Sequence, residues 1–212
     1  MNVIVSSDLT PLERSIDATD VRAAPLDALE AAREVWLAGG PLDMGALAAR
    51  LGTSRATLYR WVGSRERLLG EVVWTVSSEP MEAAIAAAKG EGPEFVADVI
   101  ERYMRGALGY EPLRVFVERD PEYALRVLAS KHSPMQRRSI LMVRRVLDDQ
   151  VHAGTLEPAL DLDTLAFLIV RIVESFLYTD VITGGEPDVA AAGDAVFALL
   201  SAPRRRRKGA RA

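Results

Sequence analysis

The chain of 212 residues contains no cysteine and only two histidines. Without cysteine there can be no disulfide, thiolate metal site or cysteine nucleophile. His132 and His152 stand far apart, and although Asp148 and Asp149 precede the second by one turn, no further ligand follows at metal-site spacing. We therefore predict no metal site, no cofactor and no catalytic residue, and surface or cap positions for both histidines.

Other patterns of enzymes and membrane proteins are also missing. The sequence has no glycine-rich phosphate loop and no serine in a nucleophile elbow. Alternating strand runs are hard to find, and aromatic residues make up only 6% of the chain against 49% hydrophobic residues. This composition is typical of an all-α globular protein. Because the N-terminus lacks a signal-peptide pattern, we expect a cytoplasmic location.

The most informative stretch is Met44–Leu69, which has the pattern of two short helices joined through Gly52 and followed at once by a third. Asp43, Ser54 and Ser64 stand where the N-caps of these helices are expected. From residue 44 to residue 70 there are five arginines and one glutamate, a local balance of +4 in a chain of net charge -4. The local field favours DNA as a partner despite the acidic whole.

The second of these helices has two distinct faces. At helical spacing Leu58 and Val62 point inward together, whereas Ala56 and Arg60 point away. A small first turn followed by donors suits a helix that enters the major groove. We predict that Arg55 contacts a guanine directly, since a guanidinium can pair bidentately with that base.

The stretch resembles the DNA-binding domain of TetR-family transcriptional regulators. The matching residues are Leu51-Gly52-Thr53-Ser54, Thr57-Leu58-Tyr59, Trp61-Val62 and Ser64-Arg65-Glu66, with Thr53, Trp61 and Arg65 departing from the residues usual in the family. The resemblance implies that Tyr59 and Arg65 contact phosphates and that the groove is faced by Arg55, Ala56, Thr57 and Arg60. Trp61 either packs against the helix behind it or contacts DNA. The DNA-binding set is Arg55, Ala56, Thr57, Tyr59, Arg60, Trp61 and Arg65.

The rest of the chain is predicted to be helical. A first helix over Pro25–Leu37 braces the helix-turn-helix, and breaks are predicted at Glu79-Pro80 and at later Gly/Pro clusters. Ser133-Pro134-Met135-Gln136 marks the start of a long helix that ends near Val151. The resulting domains are a flexible arm (1–24), a helix-turn-helix domain (25–75), a helical effector-binding and dimerisation domain (76–202) and a basic disordered tail (203–212).

Two C-terminal helices are predicted to form a homodimer interface. The segment from Asp161 to about Ile182 is apolar on nearly all sides, but charged residues interrupt it before it reaches the roughly 18 residues of a membrane span. A second subunit would provide the cover it needs, with Val189–Leu200 as its companion helix. The family resemblance implies the same dimer, which would place two recognition helices roughly 34 Å, or a multiple of that, apart on a palindromic operator.

Polar residues within this apolar helix allow two interpretations. Arg171, Glu174 and Tyr178 share a strip with Phe167, and buried charges must be paired. The strip forms either an ion pair, at the dimer seam or elsewhere, or the polar anchors of an effector pocket. The full candidate set for the pocket is Tyr103, Met104, Leu108, Phe116, Tyr123, Met142, Phe167, Arg171, Glu174 and Tyr178.

These features predict a ligand-responsive repressor, and a finer resemblance suggests its effector. Leu58–Leu69, Glu71–Trp74 and Val117–Ser130 are similar to a TetR subgroup associated with control of quorum-signal lactone degradation. That similarity implies a lactone or acyl-chain effector. The alternatives are an architectural DNA-binding protein without an effector and a helical-bundle enzyme.

Overall fold

The computed structural model describes residues 10–13, 23–130 and 133–203. Across these residues the chain contains helices and no strand, so the predicted all-α fold is confirmed. Most of the predicted arm and tail, together with His132, lies outside the described residues. Besides the helical residues 11–13, the helices are α1 (Ala23–Leu37), α2 (Met44–Arg50), α3 (Arg55–Val62), α4 (Arg65–Ala87), α5 (Gly92–Gly109), α6 (Glu111–Arg119), α7 (Pro121–Ala129), α8 (Pro134–His152), α9 (Leu162–Leu177), α10 (Thr179–Thr183) and α11 (Val189–Ser201).

Contacts group the described residues into two compact units. The head unit holds the residues up to 79 together with 107–138, and the core unit holds 80–106 and the residues from 139 onward. Helices α4, α5 and α8 each contribute residues to both units. The domain bounds predicted from sequence, 25–75 and 76–202, stay a prediction.

The interior of the head unit is built from the apolar faces of α1, α2 and α3, which contact one another. Ala28 and Ala32 of α1, Leu47 of α2, and Leu58 and Val62 of α3 are buried, four of them completely. Full burial of a Leu or Val side chain is worth about 1.5–3 kcal/mol relative to exposure. The small residues on α1 let the helices approach closely, and α3 keeps its polar face outside.

The predicted break at Glu79-Pro80 is wrong, because α4 continues through Pro80 to Ala87. Proline removes one backbone donor and crowds the preceding turn, yet it takes only one hydrogen bond from a helix of 23 residues. Hydroxyl groups in the preceding turns bond to the backbone as well: Thr75 Oγ1 donates to the Glu71 carbonyl at 2.9 Å and Ser78 Oγ to the Thr75 carbonyl at 3.1 Å. The remaining backbone hydrogen bonds are sufficient for the helix to continue past Pro80.

The single helix predicted from Asp161 to Ile182 is divided in the structure. Tyr178, with φ −109° and ψ 24°, ends α9 before the short α10 begins. Thr179 Oγ1 donates to the Ser175 carbonyl at 2.6 Å, so that side chain satisfies an acceptor of the last turn. α11 then packs against α9, as predicted. None of the helices within the described ranges is long and apolar enough to cross a membrane.

Gly92, at the start of α5, meets a steric condition that only glycine satisfies. Its φ is +55°, and a Cβ there would lie 2.2 Å from the carbonyl oxygen of Thr155. Its N–H donates to Gln150 Oε1 at 2.8 Å, which ties α5 to the end of α8. Gly106, within the same helix, has nothing within 4 Å of its would-be Cβ.

We expect Gly92→Ala to lower the free energy of unfolding by about 1–3 kcal/mol or more. Alanine would be strained at this φ, and its Cβ would clash with the backbone of Thr155. Gly106→Ala is the matched control and should be neutral or stabilising by up to about 1 kcal/mol, since alanine favours a helix interior. Urea denaturation of both variants measures the difference. Equal stability of the two would contradict the close approach of Gly92 to residue 155.

Candidate DNA-binding surface and effector pocket

Each helix of the predicted DNA-binding segment starts at a side-chain cap. Asp43, Ser54 and Ser64 are the caps of α2, α3 and α4, and their side-chain oxygens accept first-turn backbone N–H groups at 2.7–3.1 Å. Gly52 has a φ of +61° in the turn between α2 and α3. Because a glycine adopts this conformation without strain, α3 can leave α2 at a sharp angle. The local features predicted from sequence are all present.

The two faces predicted for α3 are also present. Leu58 and Val62 are completely buried, whereas Ala56 and Arg60 are exposed. Tyr59, at the edge of the outer face, is 38% exposed. The outward surface therefore begins with a methyl group and carries a guanidinium one turn later, which leaves room for close approach to a groove.

The other predicted contacts on α3 differ in exposure. Arg55 is exposed, and its Cδ lies 3.8 Å from the position that a Cβ on Gly45 would take, beside the start of α2. Thr57 is half-buried, and its hydroxyl oxygen accepts a hydrogen bond from Ser54 Oγ at 3.0 Å, so it takes part in the cap. Trp61 is half-buried, which is compatible with both roles left open by the sequence.

A carboxylate lies among the cations of this surface. Backbone hydrogen bonds from Ala46 and Gly45 hold the pKa of Asp43 below its ordinary value, and the guanidiniums of Arg55 and Arg65 lower it further. Asp43 therefore stays ionised at neutral pH and keeps its cap.

Arg65, at the first position of α4, contacts an aromatic ring of α7. Its guanidinium carbon lies 4.9 Å from the centre of the Tyr123 ring, and that of Arg126 lies 5.6 Å from the same centre. Burial raises the pKa of Tyr123 to about 12. The phenol oxygen is buried and has no hydrogen-bond partner among the described residues. The contacts of Tyr123 with these two arginines are therefore made by its ring and not by its hydroxyl.

Tyr123 also belongs to an aromatic cluster of the head unit. The rings of Trp36 and Phe116 lie 6.3 Å apart between centroids, those of Phe116 and Tyr123 lie 6.2 Å apart, and Tyr110 is 6.2 Å from Trp36. Three of the residues predicted to line an effector pocket belong to this unit: Leu108, Phe116 and Tyr123. Their predicted role stays a prediction. The ring contacts of Trp36 had no signal in the sequence, because α1 is far from Tyr110 and Phe116 along the chain.

The other seven candidate pocket residues belong to the core unit. There, Tyr103 packs with Met81, Ala84 and Val99 in a buried apolar cluster, and Met142 lies against it. A void of about 10 Å³ adjoins this cluster. Its lining is entirely apolar: Met81, Val96, Val99, Ile100, Met142, Val143 and Val146. Only Met142 of these was predicted, although the apolar spacing on α5 and α8 could have indicated the others.

The polar strip of α9 lies partly inside the core unit. Arg171 and Glu174 form an ion pair, with side chains 38% and 15% exposed. Tyr178 is 7% exposed, and burial raises its pKa well above the ordinary value, with Tyr103 raising it further and Arg171 opposing. The ion pair left open by the sequence is thus present. Met104 is fully buried and Phe167 half-buried, and the anchoring role of the strip stays a prediction.

Comparisons of this chain with known proteins agree on one protein family. Residues 91–201 match the family model described as "Tetracyclin repressor-like, C-terminal domain". The chain is similar to the R. erythropolis transcriptional repressor QsdR from the TetR family, with 34% identity, a TM-score of 0.80, and coverage of 86% of this chain and 97% of that one. It is also similar to the TetR family repressor AlkX from Dietzia sp. strain DQ12-45-1b, implicated in n-alkane biodegradation, with 22% identity, a TM-score of 0.56, and coverage of 83% and 94%. No curated protein sequence matches the chain significantly.

Proposed function

Because this chain belongs to the TetR family of transcriptional regulators, we propose that it is a repressor that leaves a palindromic operator when a small apolar or amphiphilic effector binds. Regulators of this family bind DNA operators and small molecules and act as dimers. The observation that carries the proposal is the outer face of α3, which presents Ala56 and Arg60 to solvent while Leu58 and Val62 anchor it from behind.

Selection of duplexes from a random pool by the purified full chain tests DNA recognition. We expect enrichment of a sequence with two-fold symmetry whose half-sites lie about one helical turn, roughly 34 Å, or a multiple of it apart. Symmetry is expected because a two-fold dimer presents α3 twice. The proposal fails if no sequence is enriched over random competitor DNA.

The outer surfaces of α9 and α11 support the proposed dimer. Leu168, Ile172 and Phe176 are spaced by four residues on α9 and only half-buried within one chain. Phe197 on α11 is 41% exposed. Apolar side chains at this spacing form one stripe, and a second copy of the helix pair would cover it in a four-helix interface.

An apolar effector is supported by the buried cluster around Tyr103 and Met142 and by the apolar lining of the adjoining void. The void has a volume of about 10 Å³, so binding of an effector must open it. Methionine side chains can change rotamer at low cost, which suits a pocket that opens on binding. The Arg171–Glu174 pair and Tyr178 would supply the polar anchors. The resemblance to the lactone-degradation subgroup makes an acyl lactone the first compound to test.

Helix α4 contributes residues both to the predicted DNA-binding set and to the apolar cluster proposed to bind the effector. It begins at Arg65, in the predicted DNA-binding set, and contributes Met81 and Ala84 to the apolar cluster. An effector that binds one conformation of the cluster more tightly than the other would shift the equilibrium between two positions of α4. Operator affinity then falls by the factor by which the effector prefers the DNA-free state.

We expect Met142→Trp to raise the lactone concentration needed to release DNA by roughly tenfold or more, because the indole occupies space that an acyl chain would take. Operator affinity without effector should stay unchanged, which also serves as the folding control. Fluorescence anisotropy of labelled operator, titrated with lactones of increasing chain length, measures both quantities. If no amphiphile releases DNA from the unmodified protein, that result supports the effector-independent architectural role instead.

A further inference from the structure

We propose that Tyr123 is a positioning residue for DNA binding, which holds the guanidinium of Arg65 at the DNA backbone, and that Arg126 adds a second phosphate contact beside it. The inference rests on the DNA binding proposed above. It extends the DNA-contacting surface from the helix-turn-helix to α7, a helix that no sequence pattern placed near the DNA. All three residues belong to the head unit.

The contact geometry supports a shared ring between two cations. The guanidinium carbons of Arg65 and Arg126 lie 4.9 Å and 5.6 Å from the centre of the Tyr123 ring, within the range of cation–π attraction. Phe116 packs edge-on against the same ring at 6.2 Å and 77°, so the ring is fixed from another side. A fixed ring limits the positions open to a long arginine side chain and so prepares Arg65 for a contact.

The charges around the ring favour an anion. Neither Arg65 nor Arg126 forms an ion pair with a carboxylate in the described parts of the chain, whereas the neighbouring Arg67 is paired with Glu13 at 3.6 Å. Arg65 Nε is buried without a hydrogen-bond partner among the same residues. Two like charges on one ring repel each other, and a phosphate between them would relieve that repulsion.

Acidic groups also lie near the Tyr123 ring. The carboxylates of Glu66 and Asp120 also act on Tyr123, so the site is not uniformly cationic. A cavity of about 320 Å³ shares Arg126 with this site, and its lining consists of Ser64, Glu66, Arg67, Arg126, Val127, Ser130 and Ser133. This volume can take a phosphate group together with water. Serine hydroxyls and guanidiniums are the usual donors to DNA phosphates, which favours a backbone contact over base readout.

The test measures operator affinity over a range of salt concentrations for full-length variants. Arg126→Ala should weaken binding to all duplexes alike and reduce the slope of log affinity against log salt by about 1. Tyr123→Leu should weaken operator binding about fivefold through loss of the ring. Tyr123→Phe keeps the ring and should bind like the unmodified protein. Arg105→Ala removes an exposed arginine of α5 and is the charge control.

Several outcomes would overturn the inference. An unchanged salt slope in Arg126→Ala, whose side chain is exposed and whose loss should not disturb folding, would remove the phosphate contact. Operator affinity and salt slope unchanged in Tyr123→Leu would remove the positioning role. A Tyr123→Leu variant that alters the lactone response but not DNA affinity would make Tyr123 a wall of the effector pocket instead. If the unmodified protein selects no duplex, the proposed function itself fails.

Discussion

Replacing Arg138 by methionine should lower the free energy of unfolding by about 3–5 kcal/mol. Arg138 Nε lies 3.0 Å from Glu71 Oε2, and a second guanidinium nitrogen lies 3.4 Å from Glu71 Oε1. The Glu71 side chain is 1% exposed and that of Arg138 10%. Methionine keeps much of the apolar length of arginine but would leave a buried carboxylate without its hydrogen-bonded counter-charge, although Arg137 also acts on it electrostatically.

The loss of stability in Arg138→Met should depend on pH. Burial raises the pKa of Glu71, and the charge of Arg138 opposes that rise. Without Arg138 the pKa rises further, so the folded variant binds a proton more readily than the unfolded chain does. Stability of the variant therefore increases as pH falls from neutrality through the folded-state pKa, and it levels off below the ordinary value of 4.5. Urea denaturation at several pH values should show the deficit shrinking on acidification.

Two further variants identify the cause. Glu71→Met combined with Arg138→Met should recover most of the lost stability, because a buried ion pair can be replaced by apolar residues at little net cost. Arg145→Met is the matched control on α8, since Arg145 pairs with Glu82 at 2.8 Å but both side chains are 50% exposed. That change should cost at most about 1 kcal/mol. A double variant as unstable as Arg138→Met would mean that lost packing, not the unpaired charge, causes the effect.

Arg55→Ala should weaken operator binding by about 10- to 100-fold and relax the preference for one base in each half-site. Arg55 is exposed at the first position of α3, where a long side chain can reach past the helix end toward a guanine. Lysine should not restore the preference, because it lacks the planar fork that pairs with both acceptors of guanine. Repeating the duplex selection with each variant measures affinity and base preference together.

The pattern of loss distinguishes a base contact from a phosphate contact. A base contact predicts that binding to random duplexes changes much less than binding to the operator. An equal loss of affinity for the operator and for random duplexes would mean that Arg55 contacts the DNA phosphate backbone instead. Arg105→Ala, on α5, again serves as the control for an exposed arginine and should alter neither value.

The sequence alone was sufficient for features that depend on neighbouring residues. The caps at Asp43, Ser54 and Ser64 are local, because each hydrogen bond joins residues two or three positions apart. The burial of Leu58 and Val62 follows from helical spacing, and the resemblance to the family rests on residues of the same stretch. These interactions need no knowledge of which distant helix lies opposite.

Only the tertiary structure decided which distant side chains meet. The carboxylate of Glu71 and the guanidinium of Arg138 stand 67 residues apart in sequence, and no local pattern marks either as the partner of the other. The same holds for Arg65 and Tyr123. Packing also overrode local signals, since α4 passes through Pro80 although a break was predicted there. The physical reason is that the free energy of a long-range contact depends on burial and geometry, which exist only after the helices have packed.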